Sequence, residues 1–125
     1  MKRRPSSASP GGAAGRKESP CVCPDYHRAI ELIGKRWSGA ILLVLSEGPQ
    51  RFGELTRAVP GLSDRLLSQR LRELEDADLV ERSVEEGSPV RVSYELTGRG
   101  AELRPVIEEL RPLAQRWQLA AGPRH

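Results

Sequence analysis

The chain has 125 residues, of which 38% are hydrophobic and 30% are charged, and this composition is typical of one globular domain. The longest apolar run, Ala40 to Leu45, is too short to cross a bilayer, so no membrane span is expected. The net charge is +3, but the first twenty residues alone carry +4, from five basic residues and one acidic residue. The rest of the chain is slightly acidic, so any nucleic-acid role must depend on where individual arginines lie.

Residues 1–20 are rich in Pro, Gly, Ser and Ala and contain no large apolar residue after Met1. Such a segment cannot bury enough surface to offset the entropy of ordering, which predicts a disordered basic tail. The tail either adds nonspecific attraction to phosphates or has no specific role. It lacks the apolar stretch of a secretory signal, so we expect a cytoplasmic protein.

The first half of the folded region has helical patterning. From Pro24 onward, a first helix is predicted by apolar residues at helical spacing: Tyr26, Ile30, Ile33 and Trp37. Ser38 is expected to cap a second helix, which ends before Gly48 and is apolar nearly all round, as a central buried helix would be. The segment 50–52 predicts a short strand, and 53–59 predicts a third helix.

The patterning then changes from helical to alternating. A fourth helix is predicted from its cap, Ser63, to about Asp76. The segments 79–84 and 90–97 alternate apolar with polar residues and are separated by the turn residues Glu-Glu-Gly-Ser-Pro. This alternation predicts a β-hairpin.

The C-terminal segment returns to helical spacing. Thr97 is expected to cap it, and Pro105 and Pro112 predict a kinked or two-piece helix. The predicted order of elements is that of a winged helix-turn-helix: a mostly α fold with a small β-hairpin. We expect this domain to span residues 21–120, followed by a tail over 121–125.

The fourth helix has two different faces. At about 100° per residue, Leu67, Leu71 and Leu74 fall within one arc and are expected to face the core. Arg70 lies on the flank, where we expect it to pair with an acid or to pack its aliphatic stem. The opposite side suits the DNA major groove, because arginine and glutamine can pair bidentately with guanine and adenine. The alternative is an ordinary solvated helix face. The residues expected in the groove are Arg65, Ser68, Gln69 and Arg72.

Further DNA contacts are expected around this helix, from its capped N-terminus, from the start of the third helix and from the wing. Glu85 and Glu86 would repel phosphate, so only part of the wing is expected to bind. The residues concerned are Ser63, Asp64, Arg51, Ser88 and Arg91.

The "CVCPDYH" segment places two cysteines before the first helix. A thiol near a helix N-terminus is favoured as the thiolate, so Cys23 is a candidate sensor of oxidants or electrophiles. A bond between Cys21 and Cys23 would close a strained ring, which favours an intersubunit bond or reversible capping of Cys23. One alternative is an unreactive thiol. Another is a metal site, but Cys21, Cys23 and His27 supply only three ligands.

The sequence contains none of the patterns of known catalytic or cofactor-binding motifs, so we expect neither an enzyme nor a bound cofactor. A winged helix that serves only as a protein-interaction module is the competing class, since a fold does not determine a function.

Four segments resemble the HxlR-type winged-helix regulators of the MarR-like superfamily. They are "IGKRW" (33–37), "RFGEL" (51–55), "GLSDRLLSQRLRELEDADLVER" (61–82) and "YELTGRG" (94–100). The resemblance covers residues from about 23 to 117. It implies a transcriptional regulator, more commonly a repressor, whose recognition helices read successive major grooves of a pseudo-palindromic operator. Members of this family often carry a cysteine before the first helix, in the position of Cys23, and some respond to oxidants or small molecules.

The resemblance also implies a homodimer in which the N-terminal and C-terminal helices form the interface. The sequence supports this dimer, because the last helix carries an apolar stripe that ends near a tryptophan. The alternative is that the stripe covers the core of its own subunit. The expected interface residues are Tyr26, Ile30, Leu103, Ile107, Leu110, Leu113 and Trp117.

Overall fold

The structure, a computed structural model, describes residues 21–121. The predicted basic tail and residues 122–125 lie outside this range. The chain divides between Ile30 and Glu31 into two units. The elements, in chain order, are α1 (Pro24–Ile33), α2 (Ser38–Leu45), β1 (Gln50–Arg51), α3 (Phe52–Ala58), α4 (Asp64–Asp76), β2 (Val80–Glu85), β3 (Arg91–Leu96), α5 (Gly98–Ala101), α6 (Arg104–Trp117) and a 3-10 turn (Leu119–Ala121).

The core is built around α2 and α4, as the apolar patterning predicts. Ile41 and Leu42 of α2 are at most 1% exposed, and Leu55 of α3 is fully buried beside them. Full burial of each such side chain contributes about 1.5–3 kcal/mol. The prediction that the second helix is the central buried one is therefore confirmed.

The start of α2 differs from the prediction. Ser38 is the first helical residue and is buried, whereas Trp37 occupies the cap position with φ 79° and its side chain makes no capping hydrogen bond. The N–H of Ser38 donates to the carbonyl oxygen of Lys35 at 3.0 Å, which closes a tight turn immediately before the helix. The prediction that Ser38 caps the helix was wrong. The turn and the packing of the Trp37 ring place the start of the helix at Ser38 itself.

The predicted hairpin and short strand are confirmed as one antiparallel sheet of three strands in the order β1-β3-β2. In the hairpin, Val84 pairs with Val92 and Glu85 pairs with Arg91. Gln50 of β1 pairs with Tyr94 on the other side of β3. The hairpin therefore extends beyond the core as a wing.

The two-piece C-terminal helix is confirmed. Thr97 caps only the short α5, because its Oγ1 accepts a hydrogen bond from the N–H of Gly100 at 3.0 Å. Pro105 lies in the first turn of α6, where its missing N–H costs nothing, whereas Pro112 lies inside that helix. No helix within residues 21–121 is long and apolar enough to span a membrane.

Candidate nucleic-acid interface

α4 presents one buried face and one exposed face. Leu67, Leu71 and Leu74 are at most 1% exposed, so the prediction that they face the core is confirmed. The polar residues expected to contact bases all lie on the exposed side: Arg65, Ser68, Gln69 and Arg72. The helix is thus held by its leucines while two arginine forks and an amide remain accessible.

The N-terminus of α4 is capped as predicted. The hydroxyl oxygen of Ser63 accepts a hydrogen bond from the N–H of Leu66 at 3.1 Å. Asp64 lies in the first turn, where a carboxylate complements the positive end of the helix dipole. Gly61, with φ 91°, provides the tight turn between α3 and α4. α3, this turn and α4 form the helix-turn-helix.

Arg70 is held by the protein, as expected from its position on the flank of the apolar face. Its Nη1 lies 3.3 Å from a carboxylate oxygen of Glu73, and its Nε donates to the carbonyl oxygen of Arg36 at 2.9 Å. Lys35 Nζ pairs with the same carboxylate at 3.2 Å. Burial raises the pKa of Glu73, but the hydrogen bonds from Lys35 and Gln69 and the charges of Lys35 and Arg70 outweigh this effect, so the pKa is lowered overall.

The C-terminal end of α4 is fixed by the segment that begins α5. Thr97 Oγ1 donates to the carbonyl oxygen of Asp78 at 2.6 Å, and Arg99 Nη1 donates to that of Ala77 at 3.2 Å. Asp78 has φ 63°, a left-handed conformation that turns the chain from α4 into β2. Sequence reasoning assigned only a cap to Thr97 and missed both contacts, because the partners are about twenty positions apart.

An open polar groove lies between the start of α3 and the wing. Its lining includes Arg51, Glu54, Glu85 and Arg91. Two of the expected phosphate contacts, Arg51 and Arg91, therefore line the same groove, each with a carboxylate nearby. The main-chain N–H of Arg51 donates to the carboxylate of Glu54 at 2.7 Å, and the guanidinium of Arg51 takes no part in this hydrogen bond. Ser88 is exposed in the turn between β2 and β3.

Both cysteines are exposed free thiols. Cys23 immediately precedes α1, and its sulfur accepts a hydrogen bond from the N–H of Tyr26 at 3.3 Å. Within residues 21–121 no group of three or more His, Cys, Asp and Glu side chains is placed to hold a metal ion, so the Cys-x-Cys-x3-His spacing forms no such group.

The expected interface residues divide into two groups. Leu103 and Ile107 pack against the hydrophobic core of their own chain, and Leu113 is half-buried. On α1, on α6 and in the 3-10 turn, the large apolar side chains that are about half exposed or more include two that were not among the expected interface residues, Val106 and Leu119; the set is Tyr26, Ile30, Val106, Leu110, Trp117 and Leu119.

A helix-turn-helix with an accessible basic face on its second helix, flanked by an antiparallel wing, is the architecture of winged-helix DNA-binding transcriptional regulators. The chain belongs to the HxlR-like helix-turn-helix family, whose model matches residues 32–121. The resemblance identified from the sequence is thereby confirmed.

Similar proteins include regulators whose names or structures concern redox state. The HTH-type transcriptional regulator YodB of Bacillus subtilis (strain 168) is 43% identical over 96 residues, which cover 77% of this chain and 86% of that protein. The reduced form of YodB superposes with a TM-score of 0.69 at 42% identity and covers 78% of this chain and 96% of that one. The redox regulator HypR in its oxidized form superposes with a TM-score of 0.71 at 32% identity, and the match covers 75% of this chain and 96% of that one.

Proposed function

We propose that the protein is a homodimeric, cytoplasmic transcriptional repressor that acts by binding a pseudo-palindromic operator and not by catalysis. The observation that carries this proposal is the accessible polar face of α4, opposite three fully buried leucines. A helix fixed along one face and presenting arginine and glutamine on the other is suited to the major groove, which admits one helix.

The contacts are assigned by the chemistry of each side chain. Arg65 and Arg72 have planar forks that match the two acceptors of guanine, and the amide of Gln69 matches adenine. Ser68 adds a short hydroxyl between them. Arg51 and Arg91 line the groove beside the wing and would contact phosphates, as would the amides at Ser63 and Asp64 and the hydroxyl of Ser88.

Dimerisation is assigned to exposed apolar side chains. Trp117 is 57% exposed, and large exposed side chains of this kind often anchor interfaces. Leu103 and Ile107 already pack in their own subunit, which leaves the interface to the exposed set: Tyr26, Ile30, Leu110 and Trp117, with Val106 and Leu119. A two-fold dimer would place two copies of α4 about one helical turn of DNA apart.

Cys23 is assigned as the sensor of oxidants or electrophiles. Its sulfur is exposed at a helix N-terminus, and the structures similar to this chain include diamide-treated YodB, quinone-bound YodB and HypR in reduced and oxidized forms. Two Cys23 thiols from two subunits would lose two electrons and two protons to an oxidant such as diamide and form one disulfide. The cytoplasm keeps thiols reduced, so such a bond would form only under stress. Cys21 is the second exposed thiol nearby. A small electrophile that caps the Cys23 thiol is the alternative effector.

The test begins with selection of an operator from a random-sequence duplex pool by the reduced protein, followed by fluorescence anisotropy at about 150 mM salt with scrambled competitor. Enrichment of a two-fold symmetric sequence is expected, and Arg72→Ala should weaken its binding by about 1–3 kcal/mol, mostly at one base position. Failure to enrich any sequence, or binding that does not change with salt, contradicts the proposal and supports a protein-interaction module.

The redox part has its own control. Diamide should change the affinity of the wild-type protein for the selected operator and leave that of Cys23→Ser unchanged, while Cys21→Ser should respond like wild type. An equal response of all three proteins excludes Cys23 as the sensor.

A further inference from the structure

The loop between α1 and α2, residues 34–37, contacts α4 at two separate places. Trp37 lies against Gly61 in the turn that leads into α4, because a Cβ added at Gly61 would be 3.3 Å from the indole ring. Further along the helix, Lys35 and the carbonyl of Arg36 contact Glu73 and Arg70. Contacts at the start and in the second half of a helix restrict both its tilt and its rotation.

We propose that Lys35, Arg36, Trp37, Arg70 and Glu73 form a positioning cluster that sets the orientation of α4 on DNA without contacting DNA. The inference rests on the proposed function of α4 in the major groove. Its subject is a set of residues beyond those assigned to bases or phosphates.

Arg70 is the centre of the cluster. Its side chain is only 13% exposed, and its guanidinium is shared between Glu73 and the carbonyl of Arg36. On a helical wheel it lies about 100° or more from every residue assigned to the groove. A guanidinium with two donors committed to the protein, pointing away from the exposed face, is placed to hold the helix and not to read a base.

Glu73 connects the loop to the helix. Its carboxylate forms ion pairs with Lys35 of the loop, at 3.2 Å from Nζ, and with Arg70 of its own helix, at 3.3 Å from Nη1. A single exposed ion pair contributes little, but a carboxylate shared by two cations, one of which also holds a main-chain carbonyl, forms a network of charge-assisted hydrogen bonds. Such a network adds geometric precision as well as energy.

Trp37 supports the same role from the other end. A tryptophan with φ 79° is in a conformation that bulky residues rarely adopt, and it persists only where the surroundings require it. Here the ring lies against Gly61, and the guanidinium of Arg36 lies 4.8 Å from the ring centroid. The main chain of the loop is therefore held in place by a side chain that packs against the turn before α4.

The loss of a positioning residue should affect DNA binding differently from the loss of a residue that contacts DNA. Base readout needs side chains within about 0.5 Å and 10–20° of their productive geometry, so a small rotation of α4 weakens every base contact together. Loss of a phosphate contact instead reduces the slope of log affinity against log salt by about 1. A positioning residue therefore lowers affinity and specificity while the salt slope stays constant.

The experiment measures affinity and salt slope on the selected operator for Arg70→Met, Glu73→Gln and Lys35→Met. Methionine keeps the buried stem of Arg70 but removes its donors, and the other two changes are at partly exposed positions, so at least two of the variants should fold. Thermal melts check that each variant is folded at the assay temperature. Arg91→Met is the matched control for a phosphate contact and Arg72→Met is the control for a base contact.

We expect Arg70→Met to weaken operator binding about tenfold with an unchanged salt slope and reduced preference over scrambled DNA. The combined Lys35→Met and Glu73→Gln variant should lose no more than the weaker-binding single variant, because both changes break one network. Wild-type affinity in folded variants, or a slope reduced by about 1 for Arg70→Met, overturns the inference and leaves the proposed function intact. If the wild-type protein selects no operator, the proposed function and this inference are both contradicted.

Discussion

The α-carbon of Gly100 lies directly against the main chain of Leu79. A Cβ at Gly100 would collide with the carbonyl oxygen of Leu79 and come within 3.2 Å of a methyl group of Leu96. Leu79 also accepts a hydrogen bond from the N–H of Thr97 at 3.0 Å and donates one to Leu74 at 2.9 Å. The contact therefore joins the end of α4 to the start of α5, and it requires a residue without a side chain.

We predict that Gly100→Ala lowers the free energy of unfolding by about 1–3 kcal/mol, because the new methyl group must displace main-chain atoms. Gly98→Ala is the matched control. A Cβ at Gly98 meets nothing within 4 Å, and alanine is favoured over glycine in a helix, so this change should be neutral or slightly stabilising. Urea denaturation measures both variants, and equal effects would contradict the prediction.

The cap of α4 gives a second prediction. Ser63→Ala removes the acceptor for the N–H of Leu66 and should lower the free energy of unfolding by about 1 kcal/mol. Ser68→Ala, on the exposed face of the same helix, should leave stability within about 0.5 kcal/mol. The same denaturation experiment compares them, and a larger loss for Ser68 than for Ser63 would exclude capping as the cause.

The parts of the fold that follow from local rules were predictable from the sequence. The cap at Ser63, the leucine face of α4 and the alternating hairpin depend on residues a few positions apart, where periodicity and capping chemistry suffice. Local patterning also indicated that Arg70 would pair with an acid or pack its stem, and in the structure it pairs with Glu73, three positions away on the same helix.

The contacts that could not be predicted are non-local. The carbonyl oxygen of Arg36 that accepts from Arg70 is 34 positions away, and the ring of Trp37 contacts Gly61 although α2 and α3 separate the two residues in sequence. An apolar stripe also does not specify its partner. Leu103 and Ile107 have the spacing of interface residues, yet they pack in the core of their own chain, while the candidate interface is left to more exposed neighbours.

The wing gives a third prediction. Glu85 is paired directly with Arg91 across the hairpin, and both line the groove proposed to face phosphate. Glu85→Gln removes a negative charge that repels DNA and competes for Arg91, so affinity should rise about two- to fivefold at low salt and less at high salt.

Glu109→Gln, on the exposed surface of α6 and outside this groove, changes the net charge equally and is the control. Anisotropy titrations at two salt concentrations compare the two variants. An equal rise for both would mean that net charge, and not the position of Glu85 in the groove, sets the affinity.

The acid dependence of stability gives the last prediction. The pKa of Glu73 is lowered from the ordinary value of 4.5. Burial alone would raise the pKa, but the hydrogen bonds from Lys35 and Gln69 and the charges of Lys35 and Arg70 lower it by more. A carboxyl group whose pKa is lower in the folded state than in the unfolded state stabilises the protein at a pH above its unfolded-state pKa. This stabilisation is lost as the pH falls through the folded-state pKa. The stability difference between wild type and Glu73→Gln should therefore be largest near neutral pH and shrink below pH 4.5.

Glu86→Gln, at an exposed position in the turn of the wing, is the control, because a trend shared by both variants would not come from the cations around Glu73. Thermal or urea denaturation over a series of acid buffers gives both differences. A Glu73→Gln difference that stays constant with pH would mean that the carboxylate is not stabilised by its cations, and the network that joins the α1–α2 loop to α4 would then have no energetic basis.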